Sequence, residues 1–285
     1  MRRRRLGVEL KRLRENAKLT IDEVGTRLGW SDSKMSRIEG GQVAVSPRDV
    51  GMLLAIYGVG GDQRDRMLQM ATTAQERGWW QAYNDTQVVP LVGLEAEAAS
   101  MRIYEGLVVP GLFQVREYSA AVIKAVRPDL PTEQSERWVD LRMARRRFLF
   151  GRDHPPAIDV VIDEAVVRRP AGGGGVMGRQ LRSLADDAAL PSVSLRVLPF
   201  GAGQHAAMSG AFTVFEFSDA DEPDAVYLEQ LTRDLYLEDG QEVERYKSVF
   251  RALSATAVSQ DDTIEMLLAL AQRFESVQPQ FDLPI

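Results

Sequence analysis

Residues 20–41 read TIDEVGTRLGWSDSKMSRIEGG. Ile21, Val24 and Leu28 recur at i, i+3 and i+7, which places them on one face of a short helix. Thr20 ahead of that helix and Glu23 three residues later form the S/T-x-x-E pattern of a capping box. Ser31 opens a second helix, with Met35 and Ile38 three apart on its inner face. Gly40 and Gly41 end it with residues that tolerate positive φ. Two helices this short, joined by a turn containing Gly29, make a helix-turn-helix.

The surroundings fit a small helical bundle. Residues 6–17 read as a helix with Leu6, Leu10 and Leu13 on one face and Lys11, Arg12 and Arg14 around it. Ahead of it, Arg2, Arg3, Arg4 and Arg5 read as a mobile basic arm. Ser46-Pro47 is an N-cap with Pro at the first helical position, and Val50, Leu53, Leu54 and Tyr57 give that helix its inner face. Residues 62–77 form a charged helical stretch that either closes the bundle or links it to a second region.

Beyond residue 78 the texture changes. Trp79, Trp80 and Tyr83 mark the start of the second region; residues 91–106 read equally well as helix or strand. Helices are predicted over 114–126, 132–150, 176–190, 241–257 and 261–274. Strands are predicted over 158–162, 193–198, 211–217, 225–229 and 234–238. Residues 171–175 read as a flexible loop. The predicted class is α+β: an all-α helix-turn-helix bundle with linker helix (1–77), a mixed α/β C-terminal domain (78–276) and a loose tail (277–285).

Charge separates the two regions. The chain of 285 residues carries a formal charge of −6. Residues 1–48 hold 12 Lys/Arg against 6 Asp/Glu, leaving +6 there and −12 on the remainder. A basic head on an acidic body points to a polyanion at one end. With no cysteine, disulfides and thiolate zinc sites are excluded, and a reducing cytoplasm is the expected setting. No apolar run is long enough to span a bilayer.

Catalysis finds little support, and no enzyme, cofactor or metal site is expected. His154 and His205 are far apart and lack ligand spacing. Residues 172–175 are all Gly but lack the Gly-Lys-Ser/Thr of a phosphate-binding loop. Asp163-Glu164 and Asp186-Asp187 read as solvated faces or caps. The arginine-rich run 142–147 can hold an anion, but a solvated helix face is the preferred reading.

With its basic first helix, TIDEVGTRLGWS and MSRIEGG, the head resembles the XRE family of lambda-repressor-like helix-turn-helix domains. Residues from about 90 to 274 resemble the uncharacterised domain that comes after such heads in actinobacterial regulators. The stretches Val109-Pro110-Gly111-Leu112-Phe113-Gln114, Asp163-Glu164-Ala165 through Arg168-Arg169-Pro170, Leu198-Pro199-Phe200 through Gly203 and Tyr236-Leu237-Glu238-Asp239 carry that likeness. The resemblance implies a homodimeric transcriptional regulator of double-stranded DNA. Its second helix, residues 32–39, would lie in the major groove. It further implies a C-terminal domain that senses a partner protein or a small-molecule effector. The alternative it carries is an antitoxin-like protein that neutralises a small partner encoded by a neighbouring gene and autoregulates its own operon.

Position by position, the resemblance makes Asp32, Ser33, Lys34 and Arg37 base readers. Arg37 has the reach for guanine; Asp32 either accepts from cytosine or favours the helix N-terminus. Thr20, Arg27, Ser36, Lys11 and Arg12 become backbone contacts. Arg2 to Arg5 enter a minor groove, follow phosphates or form a solubilising tail. Arg14 and Glu39 match a buried structural ion pair. Two residues depart from the pattern: Ile21 replaces a polar residue that usually contacts phosphate, and Gly25 stands where Ala is usual, weakening the helix by up to about 1 kcal/mol.

Overall fold

The structure is a computed structural model. It describes residues 2–41, 43, 45–75, 89–218, 223–232 and 234–276, and it divides the chain into two compact units, 1–82 and 83–285. Three expectations fall outside the described residues: the domain boundary at 77/78, the Trp79, Trp80 and Tyr83 cluster, and the tail 277–285.

The head consists of α1 (Arg2–Asn16), α2 (Ile21–Leu28), α3 (Asp32–Glu39), α4 (Pro47–Ile56) and α5 (Gly61–Gln75). Its core joins Leu6, Leu10 and Leu13 of α1 to Val24 of α2, Met35 and Ile38 of α3, and Val50, Leu53 and Leu54 of α4. These are the residues that the helical spacing selects. Met67 and Ala71 enter the same core, so α5 closes the bundle.

The expected mobile arm is instead the first turn of α1, which begins at Arg2. Arginine is a good helix former, and no Gly or Pro interrupts residues 2–6. Gly41, not Gly40, takes the positive φ after α3. Ile21 packs partly buried against the head core, an apolar contact at the position where the resemblance implies a polar one.

Two glycines set the spacing of the helices. At Gly25 an added Cβ would stand 2.7 Å from the Trp30 carbonyl oxygen, which the turn holds in place through the Trp30 N–H to Gly25 O bond of 2.8 Å. At Gly7 it would stand 2.5 Å and 2.6 Å from the carbonyl oxygens of Ile38 and Glu39. Backbone thus meets backbone where α1 crosses the end of α3. Gly7→Ala gains up to about 1 kcal/mol of helix propensity, but the overlap costs more. A net destabilisation of about 1–3 kcal/mol is expected, read as a lower melting temperature of the head.

The body contains a six-stranded sheet in the order β3-β2-β1-β4-β5-β6. The strands are β1 (Ser100–Glu105), β2 (Ala157–Asp163), β3 (Val193–Leu198), β4 (Phe212–Glu216), β5 (Ala225–Leu228) and β6 (Leu235–Leu237). The first three pair in parallel; from β1 outward through β4 to β6 the pairing is antiparallel. α6 (Val89–Glu97) precedes β1, so residues 91–106 supply first a helix and then a strand.

α7 (Arg116–Val126) and α8 (Thr132–Phe150) connect β1 to β2. α9 (Glu164–Arg168) and α10 (Gly174–Ala188) connect β2 to β3, and α11 (Gly240–Thr256) and α12 (Gln260–Ser276) complete the unit. One face of the sheet, with Tyr104, Val161, Phe212, Val214 and Val226, packs on Val243, Phe250 and Leu253 of α11. Helical segments are tied in by buried side chains. Gln180 of α10 accepts from Val115 N–H and donates to the Phe113 carbonyl, each at 2.8 Å. The Thr263 hydroxyl accepts from Val197 N–H. The architecture is α+β, a helical head followed by a mixed-sheet domain.

Most of the arginine run is not a solvated face: of its four arginines only Arg147 is exposed. Arg145 is buried in an ion pair with Glu95, Arg146 pairs with Asp187, and Arg142 donates to Gln114 at 2.7 Å. Turned inward, these side chains meet partners more than twenty-five residues away, which helical spacing alone cannot reveal. Asp163 caps α9 through Ala165 N–H, and Glu164 accepts from Phe200 N–H, so that acidic pair is structural.

Candidate nucleic-acid interface

The helix-turn-helix is fixed at both helix starts and at the turn. Thr20 Oγ1 accepts from Glu23 N–H, while Glu23 accepts from Thr20 N–H at 2.7 Å, closing the capping box. These bonds hold the Glu23 carboxyl below the usual carboxylate range. Gly29, with φ of 66°, closes α2, and Ser31 Oγ accepts from Lys34 N–H at the start of α3.

α3 buries Met35, Ile38 and Glu39. With 3.6 residues per turn, Ser33, Ser36 and Arg37 then face away from the core, and all three are exposed, as is Asp32. Arg37 lies along its own helix, its Nε donating to the Ser33 carbonyl at 3.3 Å. Lys34 is partly buried, with its ammonium 3.5 Å from the centroid of the Trp30 ring. Trp30 was not singled out by spacing; an aromatic residue in the turn four positions before a lysine is the signal that could have found it.

The expected backbone contacts differ in how free they are. Arg27 is exposed at the end of α2. Arg12 binds Glu9, three residues earlier, and Lys11 lies 4.0 Å from Glu15. The Thr20 hydroxyl is engaged with Glu23. Part of the positive charge of α1 is therefore neutralised within the helix before any polyanion arrives. Arg5 is partly buried, and the side chains of Arg2, Arg3 and Arg4 are outside the description.

Behind the exposed face of α3, Arg14 and Glu39 form a bidentate pair, Nε to Oε1 at 2.7 Å and Nη2 to Oε2 at 2.9 Å. Arg14 Nη1 also donates to the Leu19 carbonyl at 2.7 Å. The pair ties α1 to the end of α3 and the entry of α2. The neighbouring Tyr57 hydroxyl has no hydrogen-bond partner; burial, then the Glu39 charge, push it above the usual phenol range.

Elsewhere, His154 is exposed, whereas His205 packs edge-on to Tyr104, so the two histidines do not share a site. Among the described residues no group of His, Asp and Glu is placed to hold a metal ion, and no helix is long and apolar enough to cross a membrane.

Residues 5–67 match the family described as a helix-turn-helix domain, and residues 88–269 match the one described as "Domain of unknown function (DUF5753)". No curated protein and no solved structure matches the chain. The second match spans more than half of the sequence: the chain belongs to the DUF5753 family and carries a helix-turn-helix domain ahead of that region.

Proposed function

We propose that the protein is a sequence-specific regulator of transcription that binds double-stranded DNA as a homodimer. α3 lies in the major groove, where Asp32, Ser33, Lys34 and Arg37 read base edges. Arg27, Ser36 and the bases of α1 contact the phosphate backbone. The body performs no catalysis; it dimerises and receives a signal. The observation that carries this reading is the face of α3 opposite Met35 and Ile38, polar and basic, on a helix capped by Ser31 and braced from behind by Arg14 and Glu39. The +6 charge of residues 1–48 against the acidic remainder supports it. Dimerisation follows from size, because a head this small covers one half-site and specific affinity ordinarily requires two.

A gel shift against the DNA upstream of the protein's own gene, titrated with salt and competitor, tests the proposal. Arg37→Ala is expected to cost about 1–3 kcal/mol and to relax preference at one base position. Arg27→Ala is expected to weaken all sequences alike and to lower the salt slope by about one. Binding with no preference over competitor DNA would overturn the reading.

A further inference from the structure

At one end of the body's sheet β1, β2, β3 and β5 finish while β4 and β6 begin. The connection from β3 to β4, residues 199–211, starts and stops at this end, so it crosses the ends of β2 and β1. Phe200 N–H donates to Glu164 at 2.7 Å, the His205 ring lies 5.7 Å from that of Tyr104, and Ala207 is buried with Tyr104 and Phe212. Turns fix its course: Gly203 N–H donates to the Phe200 carbonyl at 3.1 Å and Gly210 N–H to that of Ala207 at 3.2 Å.

This end is poor in charge and rich in exposed apolar side chains. Although 27% of the chain is charged, residues 106–115 and 199–211 contain no Lys, Arg, Asp or Glu. Leu107, Phe200, Met208, Leu231 and Leu235, between 43% and 91% exposed, lie on its connections or at the first residue of β6. They are half of the ten large apolar side chains exposed among the described residues; the other five stand singly, on α1, α7, α8, α12 and just before β3. Asp163 and Glu164 are occupied as caps and acceptors, and Glu105 and Arg142 are partly buried. A surface of fixed backbone, exposed Met and Phe and little charge has the composition of an interface centre.

Its dimensions and layout suit a second copy. Strands about 4.8 Å apart put β3 and β6 about 24 Å from one another. A standard interface buries about 800 Å² per partner, a square roughly 28 Å on a side. Met208 follows buried Ala207 and precedes β4, which places it over the middle of the strand order, between β1 and β4. Phe200 lies toward β3, and Leu231 and Leu235 lie toward β6. A two-fold axis perpendicular to the sheet at its middle therefore sets Phe200 against Leu231 and Leu235 of the copy, and Met208 beside its own counterpart. At the margin the exposed Arg169, beyond β2, falls opposite the turn holding Glu229, Arg233 and Asp234, which has one acid in excess.

We infer that this end of the sheet is the surface through which two copies of the chain associate, end to end, about such an axis. The assignment rests on the reading of the body as the dimerising half and gives that half its contact surface.

Sedimentation velocity of the full chain without DNA is the first measurement. The parent is expected to be a dimer, and Met208→Asp, which sets two like charges beside the axis, is expected to raise its dissociation constant at least about tenfold. Met208 is 72% exposed, so the variant is expected to melt with the parent. The chain has no cysteine, which makes a single introduced thiol a clean second readout. Under oxidation Met208→Cys is expected to give a covalent dimer, and Leu268→Cys, exposed on α12, is not. A parent that stays monomeric at about 100 μM would overturn the assignment. So would a Met208→Asp dimer as strong as the parent's, or a link through Leu268→Cys in place of Met208→Cys. A chain that dimerises through this end yet shows no base preference in the gel shift would keep the interface and remove the regulatory reading.

Discussion

Glu39→Ala is expected to destabilise the head by about 3–5 kcal/mol. Arg14 and Glu39 are each 7% exposed, and two hydrogen bonds join them. Truncating Glu39 leaves the guanidinium buried with the Leu19 carbonyl to accept from it and the exposed carboxylate of Glu15 at 3.8 Å. A buried charge whose nearest remaining carboxylate is distant and solvent-screened costs far more than the net worth of the pair. Domains of this size are stable by only about 5–15 kcal/mol, so the loss leaves the head partly unfolded near its working temperature. Thermal melting followed by circular dichroism measures the effect. Replacing both partners with apolar residues, Arg14→Met with Glu39→Leu, is expected to recover most of the loss. A change of under about 1 kcal/mol for Glu39→Ala would mean that water reaches the pair and that it braces nothing.

The second large effect concerns pH. The Glu105 carboxyl ordinarily titrates near 4.5; burial first, then the Glu229 charge, lift it to about 8, while Arg142 opposes the rise. Between those values the folded chain holds a proton that the unfolded chain has lost. Folding therefore takes up a proton in that window, and stability falls as pH rises from about 4.5 through about 8. The ceiling on the effect is about 5 kcal/mol, reduced by the solvent that still reaches the group. Glu105→Gln removes the titration while keeping the shape. Urea denaturation at pH 5 and pH 8.5 should show the parent body losing stability between them, with the variant losing less and exceeding the parent at the higher pH. An identical pH dependence in both proteins would show that Glu105 titrates normally.

The head was legible because its signals are local. Thr20 and Glu23 lie three residues apart and bond as the capping pattern requires; Leu6, Leu10, Leu13, Met35 and Ile38 face inward as their spacing dictates. The Arg14–Glu39 pair spans twenty-five residues, and only the resemblance to related heads pointed to it. In the body, most elements were visible as periodic stretches, while α9, a single short helix capped by Asp163, was not. The arginines of α8 read as solvated because their sequence neighbours are charged. Their partners Glu95 and Asp187 come from α6 and α10, and that proximity exists only after the sheet assembles.

The position of Lys34 on the Trp30 ring has a thermodynamic consequence. A free lysine side chain holds up to about 2 kcal/mol of rotamer entropy, which a surface lysine surrenders when it first meets an anion. Lys34 has already surrendered part of it to the ring of the turn. An anion that can be reached without leaving Trp30 thus meets a side chain already in place, whereas one that requires departure forfeits a contact of about 0.5–1 kcal/mol. The turn between the two helices therefore acts as a filter, favouring encounters in which the ammonium stays where folding put it.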